Sequence, residues 1–374
     1  MNPENSIGHG IVAIGGGTGL STMLRGLKKH IDDITAIVAV SDDGGGSGVL
    51  RTDLNMLPPG DIRNCIIALS NTEQLMSRLL SHRFHEGLLD GQSFGNLFLA
   101  ALNQVTGSFY QSVRYMSDVL AITGRVLPVT TEDVHIEAEF ENGAVVRGES
   151  NINTQKKLLD SPIRHIRMIP EHPKALSDTI SAITNARLLI FGPGSLYTSI
   201  IPNLLVDGIV DAVRASNARK VYICNVMTQD GETENYTATD HIKALFDHSY
   251  DGLFDTCIAN NAEISRELIK KYAAEGAEPM PINEEDFEKM GIKLILKPLI
   301  SENTPLARHD PARLAEVIMD VYNGKLKHAK RIGNKNDFFC KDKRRAVLFT
   351  DKECRSRTCR AVRYGAFCKR NQKH

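Results

Sequence analysis

Short apolar runs, each ending in glycines or an amide-rich turn and each followed by apolar positions three to four residues apart, recur along most of the chain. Ile11 to Ile14 is the first; it breaks into Gly15-Gly16-Gly17-Thr18-Gly19 and opens an amphipathic segment through Leu24 and Leu27. The pattern predicts strand, tight loop and helix. Ile34 to Val40 carries too few polar alternations for a surface strand and predicts a buried parallel one. Ala186 to Phe191, Val221 to Cys224, Thr256 to Ala259 and Ile292 to Leu296 repeat the strand pattern, with helices predicted from Ser265 to Glu275 and from Pro311 to near Gly324. Between Glu73 and Thr123 the spacing is helical, broken at Asp90 to Asn96, which predicts several packed helices. From about residue 125 to 169 the period changes to two: Val134 to Phe140, the turn Glu141-Asn142-Gly143, then Ala144 to Gly148. Asn-Gly between alternating runs predicts a hairpin. The fold class that follows is α/β, a mostly parallel sheet flanked by helices, with an antiparallel hairpin region inserted across about 125–169.

Composition changes this picture at one end. The 374 residues are 42% hydrophobic, enough for a sizeable core. No apolar run reaches the roughly 18 residues of a membrane span, and Met1 to Gly10 lacks the features of a signal peptide, so the expected location is the cytoplasm. Cys65, Cys224 and Cys257 are scattered singly, as reduced thiols are. The formal net charge is zero, yet from Lys325 onward seventeen Lys and Arg stand against four acids. Residues 1–324 are therefore expected to form one nucleotide-binding domain, and 325–374 a basic, disordered tail that attracts polyanions in a salt-dependent way. Cys340, Cys354, Cys359 and Cys368 in that tail lack the paired short spacing of a zinc ribbon.

Candidate chemistry gathers at the predicted strand ends. Gly16, Gly17, Thr18 and Gly19 suit a phosphate loop, because glycines allow close backbone approach and a helix start presents unpaired N–H groups. The loop does not specify which phosphate: Leu20 stands where a dinucleotide fingerprint wants glycine, and no Gly-Lys-Ser/Thr follows. Gly192, Gly194 and Ser195, with Thr198 and Ser199, repeat the arrangement after a second strand. Asp42 and Asp43 end the strand that starts at Ile34 and suit Mg²⁺ or a ribose hydroxyl, or are simply turn formers. Asp61 reads as a helix cap, while Arg63 and Asn64 in the same first turn can face the glycine loop. Ser93 and Asn96 are either ligand contacts or a cap, and Asn225 and Gln229 could read a base or sugar. The histidines combine with no Cys or acid into a zinc set.

Taken in order, Ala13 to Leu20, Ser41 to Gly44, Pro58 to Asn64, Ser93 to Leu97, Phe191 to Ile200 and Asn225 to Gln229 resemble the gluconeogenesis factors, the YvcK type of the CofD-like proteins. The resemblance spans roughly residues 10–323. It implies a Rossmann-like fold related to 2-phospho-L-lactate transferase, which uses Mg²⁺ to move a phospholactyl group from a guanosine diphosphate conjugate. It also implies that the chain is a regulator without catalytic residues, binding UDP-sugars such as UDP-N-acetylglucosamine and supporting cell shape and wall synthesis on gluconeogenic carbon. Tyr272 and Arg308 match the positions that serve the sugar nucleotide in that family. Gly46, Gln92 and Asp230 depart from its pattern, which has serine, histidine and proline there. The expected partners are a nucleotide sugar, a second copy of the chain and proteins of cell-wall synthesis. An Mg²⁺-dependent transferase and an NAD-binding protein are the competing readings.

Overall fold

The computed structural model describes residues 10–301 and 306–326; the tail with its four cysteines lies outside the described residues. Among the described residues there are ten strands: β1 Ile11–Gly15, β2 Ile34–Val38, β3 Arg125–Pro128, β4 His135–Phe140, β5 Val145–Arg147, β6 Ile163–Ile169, β7 Leu188–Phe191, β8 Arg219–Ile223, β9 Thr256–Asn260 and β10 Lys293–Lys297. Seven form one sheet in the order β10-β9-β8-β7-β1-β2-β3, every pairing parallel. β1, β2 and β7 are buried along their whole length, as strands covered by helices on both faces must be. The Rossmann-like α/β expectation therefore holds.

The helix Gly17–Leu27 covers β1 with Leu20, Met23, Leu24 and Leu27, all 0% exposed and spaced to share one face. Each such side chain stabilises the fold by about 2 kcal/mol. The same helix packs on the helices Gly60–Leu69 and Pro311–Tyr322. At Gly26 a Cβ would collide with the Pro311 carbonyl, so the crossing admits only glycine.

From β1 the chain moves to β2 and β3 on one side; it later returns to the other flank of β1 as β7 and continues outward through β8, β9 and β10. The gap between the carboxyl ends of β1 and β7 is thus a topological switch point, where open α/β sheets hold ligands.

The small sheet β5-β4-β6 is antiparallel. Ile136, Ala138 and Phe140 of β4 point inward, while Glu137 and Glu139 on the outer face pair with Arg167 and Arg164 of β6. Two boundaries differ from the sequence reading. The inserted region begins after β3, because Arg125–Pro128 joins the large sheet beside β2. The turn read at Asp42 and Asp43 runs directly into a helix at Gly45–Leu54, where Gly48 is small enough to let its turn pack on the Asp43 carbonyl.

Candidate functional site

The first glycine loop closes on a carboxylate. Gly17, at φ +68°, donates its N–H to Asp61 Oδ2 at 2.6 Å, and a Cβ on Gly16 would lie 2.7 Å from that same oxygen. Asp61 therefore bridges from its own helix to the loop, a longer reach than the local cap that the sequence suggested. Burial raises its pKa from 3.8 to about 6; the charge of Asp42 adds to the rise and the Gly17 N–H opposes it. Thr18 and Gly19, next in the same uncapped first turn, keep N–H groups that no helix residue can take up.

The second loop is filled in the same way. Asn225 clamps Gly194, accepting its N–H at 3.3 Å and donating to its carbonyl at 2.9 Å. The Ser195 hydroxyl donates to Gln229 Oε1 at 2.8 Å. Behind them Glu232, 0% exposed, accepts from the Tyr197 N–H at 3.2 Å, from the Thr198 hydroxyl at 2.8 Å and from the Leu196 N–H. Burial raises its pKa from 4.5 to about 7 against those hydrogen bonds. The helix start that the glycine pattern assigned to a phosphate is thus occupied by a carboxyl group of the chain itself. The two loops also touch: a Cβ on Gly19 would come within 2.7 Å of the Pro193 carbonyl oxygen.

Between the loops lies a cavity of about 340 Å³. Gly17, Thr18, Gly19, Gly194 and Ser195 line it from the two loops; Asn225 and Gln229 come from the segment after β8, Tyr272 from the helix Arg266–Ala274, and Arg308 from beyond β10. Arg308 is the one cationic side chain among the described residues lining it, since burial lowers the pKa of neighbouring His309 to about 4. Larger depressions among the described residues, of about 580, 590 and 480 Å³, contain neither glycine loop.

The remaining candidates lie elsewhere. Gly16 and Gly192 are buried in the loops without lining the cavity. Ser93 caps the helix Phe94–Thr106, its hydroxyl accepting from the Asn96 N–H at 3.3 Å, and neither residue lines the cavity. Asp43 Oδ1 accepts from the Ser150 N–H at 2.9 Å and hydroxyl at 2.7 Å, which ties it to the helix Glu149–Leu159. Asp42 Oδ1 accepts from the Gly44 N–H at 2.9 Å, and its charge acts on Asp61 and on Glu149, whose pKa burial raises strongly. Among the described residues no three His, Cys, Asp or Glu side chains form a metal-binding group. Glu232 and Glu149 escaped the sequence reading; the one signal for Glu232 was its place in the loop after a parallel strand.

A parallel sheet with a cavity between two glycine loops at its switch point defines a Rossmann-like α/β protein. The chain belongs to the CofD family, described as 2-phospho-L-lactate transferase CofD, which matches residues 11–300, and within it groups with the gluconeogenesis factors. It is 47% identical over 312 residues to the gluconeogenesis factor of Bacillus subtilis, covering 83% of this chain and 97% of that one. A relative from Thermoanaerobacterium thermosulfurigenes is 53% identical over 314 residues, 84% of this chain and 97% of its own. The crystal structure of a Bacillus halodurans protein of the UPF0052 family has the same fold, with a TM-score of 0.80 at 44% identity, covering 83% of this chain and 99% of that one. No helix of the described residues is long and apolar enough to cross a membrane.

Proposed function

We propose that the chain is a cytoplasmic regulatory protein that binds a UDP-sugar such as UDP-N-acetylglucosamine between the two glycine loops, and that this supports cell shape and peptidoglycan synthesis on gluconeogenic carbon. The observation that carries the reading is the meeting of Thr18, Gly19, Tyr272 and Arg308, distant in the chain, around one cavity. The free N–H groups of Thr18 and Gly19 at a helix start suit a diphosphate, Arg308 offers a fork of donors, and Tyr272 a face for a base or sugar. The regulatory role rests on the resemblance to gluconeogenesis factors. Thermal unfolding with a panel of nucleotides tests the reading: UDP-N-acetylglucosamine at 100 times its dissociation constant should add about 2.7 kcal/mol. No shift with the UDP-sugar at millimolar concentration, and a rise with NAD, would transfer the site to a dinucleotide.

The acids beside the first loop favour a second reading, an Mg²⁺-dependent transferase acting on a nucleoside-diphosphate donor. Asp43 is engaged by Ser150, so the ion would draw on Asp42 and Asp61, with phosphate oxygens and water completing its shell. Mg²⁺ would offset the Asp42 charge, which adds to the effect of burial on the Asp61 pKa, and would polarise a phosphoryl oxygen. Product formed from a nucleoside-diphosphate conjugate only when Mg²⁺ is present would favour this reading over a binding protein.

A further inference from the structure

Behind the second glycine loop, three side chains form one run of hydrogen bonds that starts at the cavity and ends in the interior. The Ser195 hydroxyl donates to Gln229 Oε1 at 2.8 Å, and Gln229 Nε2 donates to Glu232 Oε1 at 3.3 Å. Ser195 and Gln229 line the cavity, while Glu232 is 0% exposed. A tight turn fixes the spacing: the Glu232 N–H donates to the Gln229 carbonyl at 3.1 Å, and the Gln229 N–H to Thr233 Oγ1 at 3.0 Å. The Thr198 hydroxyl and the N–H groups of Leu196 and Tyr197 also donate to the Glu232 carboxyl group. With the carboxylate charged, Ser195 spends its proton on Gln229 and turns only lone pairs toward the cavity, which repel a phosphate oxygen.

A proton on Glu232 reverses the run. The carboxylic acid must then donate, and backbone N–H groups cannot accept. Thr198, 3% exposed, could accept only by finding a new acceptor for its own proton inside the protein. Gln229 need only turn its amide over: Oε1 accepts from Glu232, Nε2 donates to Ser195 Oγ, and the Ser195 proton is released toward the cavity. We propose that Gln229 is a positioning residue that relays the protonation of Glu232 to Ser195, so that the Ser195 hydroxyl donates to a bound diphosphate only when Glu232 is protonated. This rests on the reading of the cavity as a nucleotide-sugar site. Burial places the Glu232 pKa at about 7, so both arrangements are populated near neutrality. The titratable groups that act on Glu232 or feel its charge are Glu234 of the same loop, which pairs with Lys156 at 2.5 Å, Glu149, whose pKa burial raises strongly, and the Tyr197 phenol, whose pKa burial also raises.

NMR on the free full chain tests the relay. The Gln229 side-chain amide nitrogen should shift with the same midpoint as the Glu232 carboxyl carbon, and the shift should vanish in Glu232→Gln. A Gln229 amide that stays constant while Glu232 titrates overturns the proposal, whatever the cavity binds. Calorimetry then reads the effect with UDP-N-acetylglucosamine, whose diphosphate is esterified at both ends and does not titrate near neutrality. The wild type should bind it at least about fivefold more weakly at about pH 8 than at about pH 6. Asp61, with its pKa at about 6, adds a share of its own that every variant keeps. Ser195→Ala should bind weakly on the acid side, and Gln229→Leu, which leaves the Ser195 hydroxyl free at every pH, should bind above about pH 7 at least as tightly as the wild type. Both should lose the part of the fall centred near pH 7, and Ser195→Ala decides the matter if Gln229→Leu fails to fold. A charge on Glu232 acting directly through space would leave the whole fall in both variants, and that result overturns the relay. Absence of binding to the wild type, with a Gln229 amide that titrates, refutes the nucleotide-sugar reading and leaves the relay standing.

Discussion

Replacing Glu232 by glutamine tests how the second glycine loop is held. The carboxyl group is fully buried against the Tyr197 N–H and the Thr198 hydroxyl, and burial raises its pKa from 4.5 to about 7. Between those two values the folded chain keeps a proton that the unfolded chain has lost. Its contribution to stability therefore falls as pH rises through this window and levels off above about 7. At about 1.4 kcal/mol for each pH unit of separation, the fall from about pH 5 to about pH 8 is roughly 2 to 3 kcal/mol. Glutamine keeps the size and an acceptor oxygen but does not titrate. Urea unfolding of both proteins across that range should show Glu232→Gln gaining roughly 2 to 3 kcal/mol on the wild type. Asp61 and Glu149 titrate in both proteins and cancel to first order. A difference between variant and wild type that stays constant with pH would show that Glu232 is not protonated in the folded chain.

Gly19→Ala should destabilise the protein by about 1–3 kcal/mol, because the new methyl group meets the Pro193 carbonyl and parts the loops; an unchanged urea midpoint would contradict that contact. Arg308→Ala and Tyr272→Ala should each weaken UDP-N-acetylglucosamine by about 1–3 kcal/mol in calorimetry while the melting temperature of the free protein holds, and unchanged affinity in both removes them from the site. Asp42→Asn should lower the Asp61 pKa from about 6, read by carboxyl carbon NMR, and should abolish any Mg²⁺ dependence of ligand binding; an unmoved Asp61 titration would separate the two acids.

The sheet was legible because its strands are buried on both faces: Ile11 to Ile14 and Leu188 to Phe191 have no polar position to blur their period. The Asn142-Gly143 hairpin was legible because that turn chemistry is local. The edge strand Arg125–Pro128 was not, being four residues long and distinguished from the following hairpin only by pairing with a distant partner. At the site, glycine loops and the motif resemblance led to Thr18, Gly19, Tyr272 and Arg308. The acids were harder, since Asp43 and Asp61 look alike as sequence, and only the fold sends one to Ser150 and the other to Gly17. Burial of Glu232 depends on packing between segments far apart in the chain, which no local pattern carries.

Asp61 and Glu232 fill from within the two loops that the glycine pattern offered to an anion. A helix start left bare would leave its amides without partners and its loop without a fixed course. Here each loop is held in shape by an acid of the chain, so the cavity needs no visitor to keep its form. An incoming diphosphate would add charge beside two groups that hold protons more tightly than ordinary acids do. Binding would then draw protons from solution and strengthen as the medium grows more acidic. If the proposed ligand binds there, metabolite and acidity would be reported as a single reading.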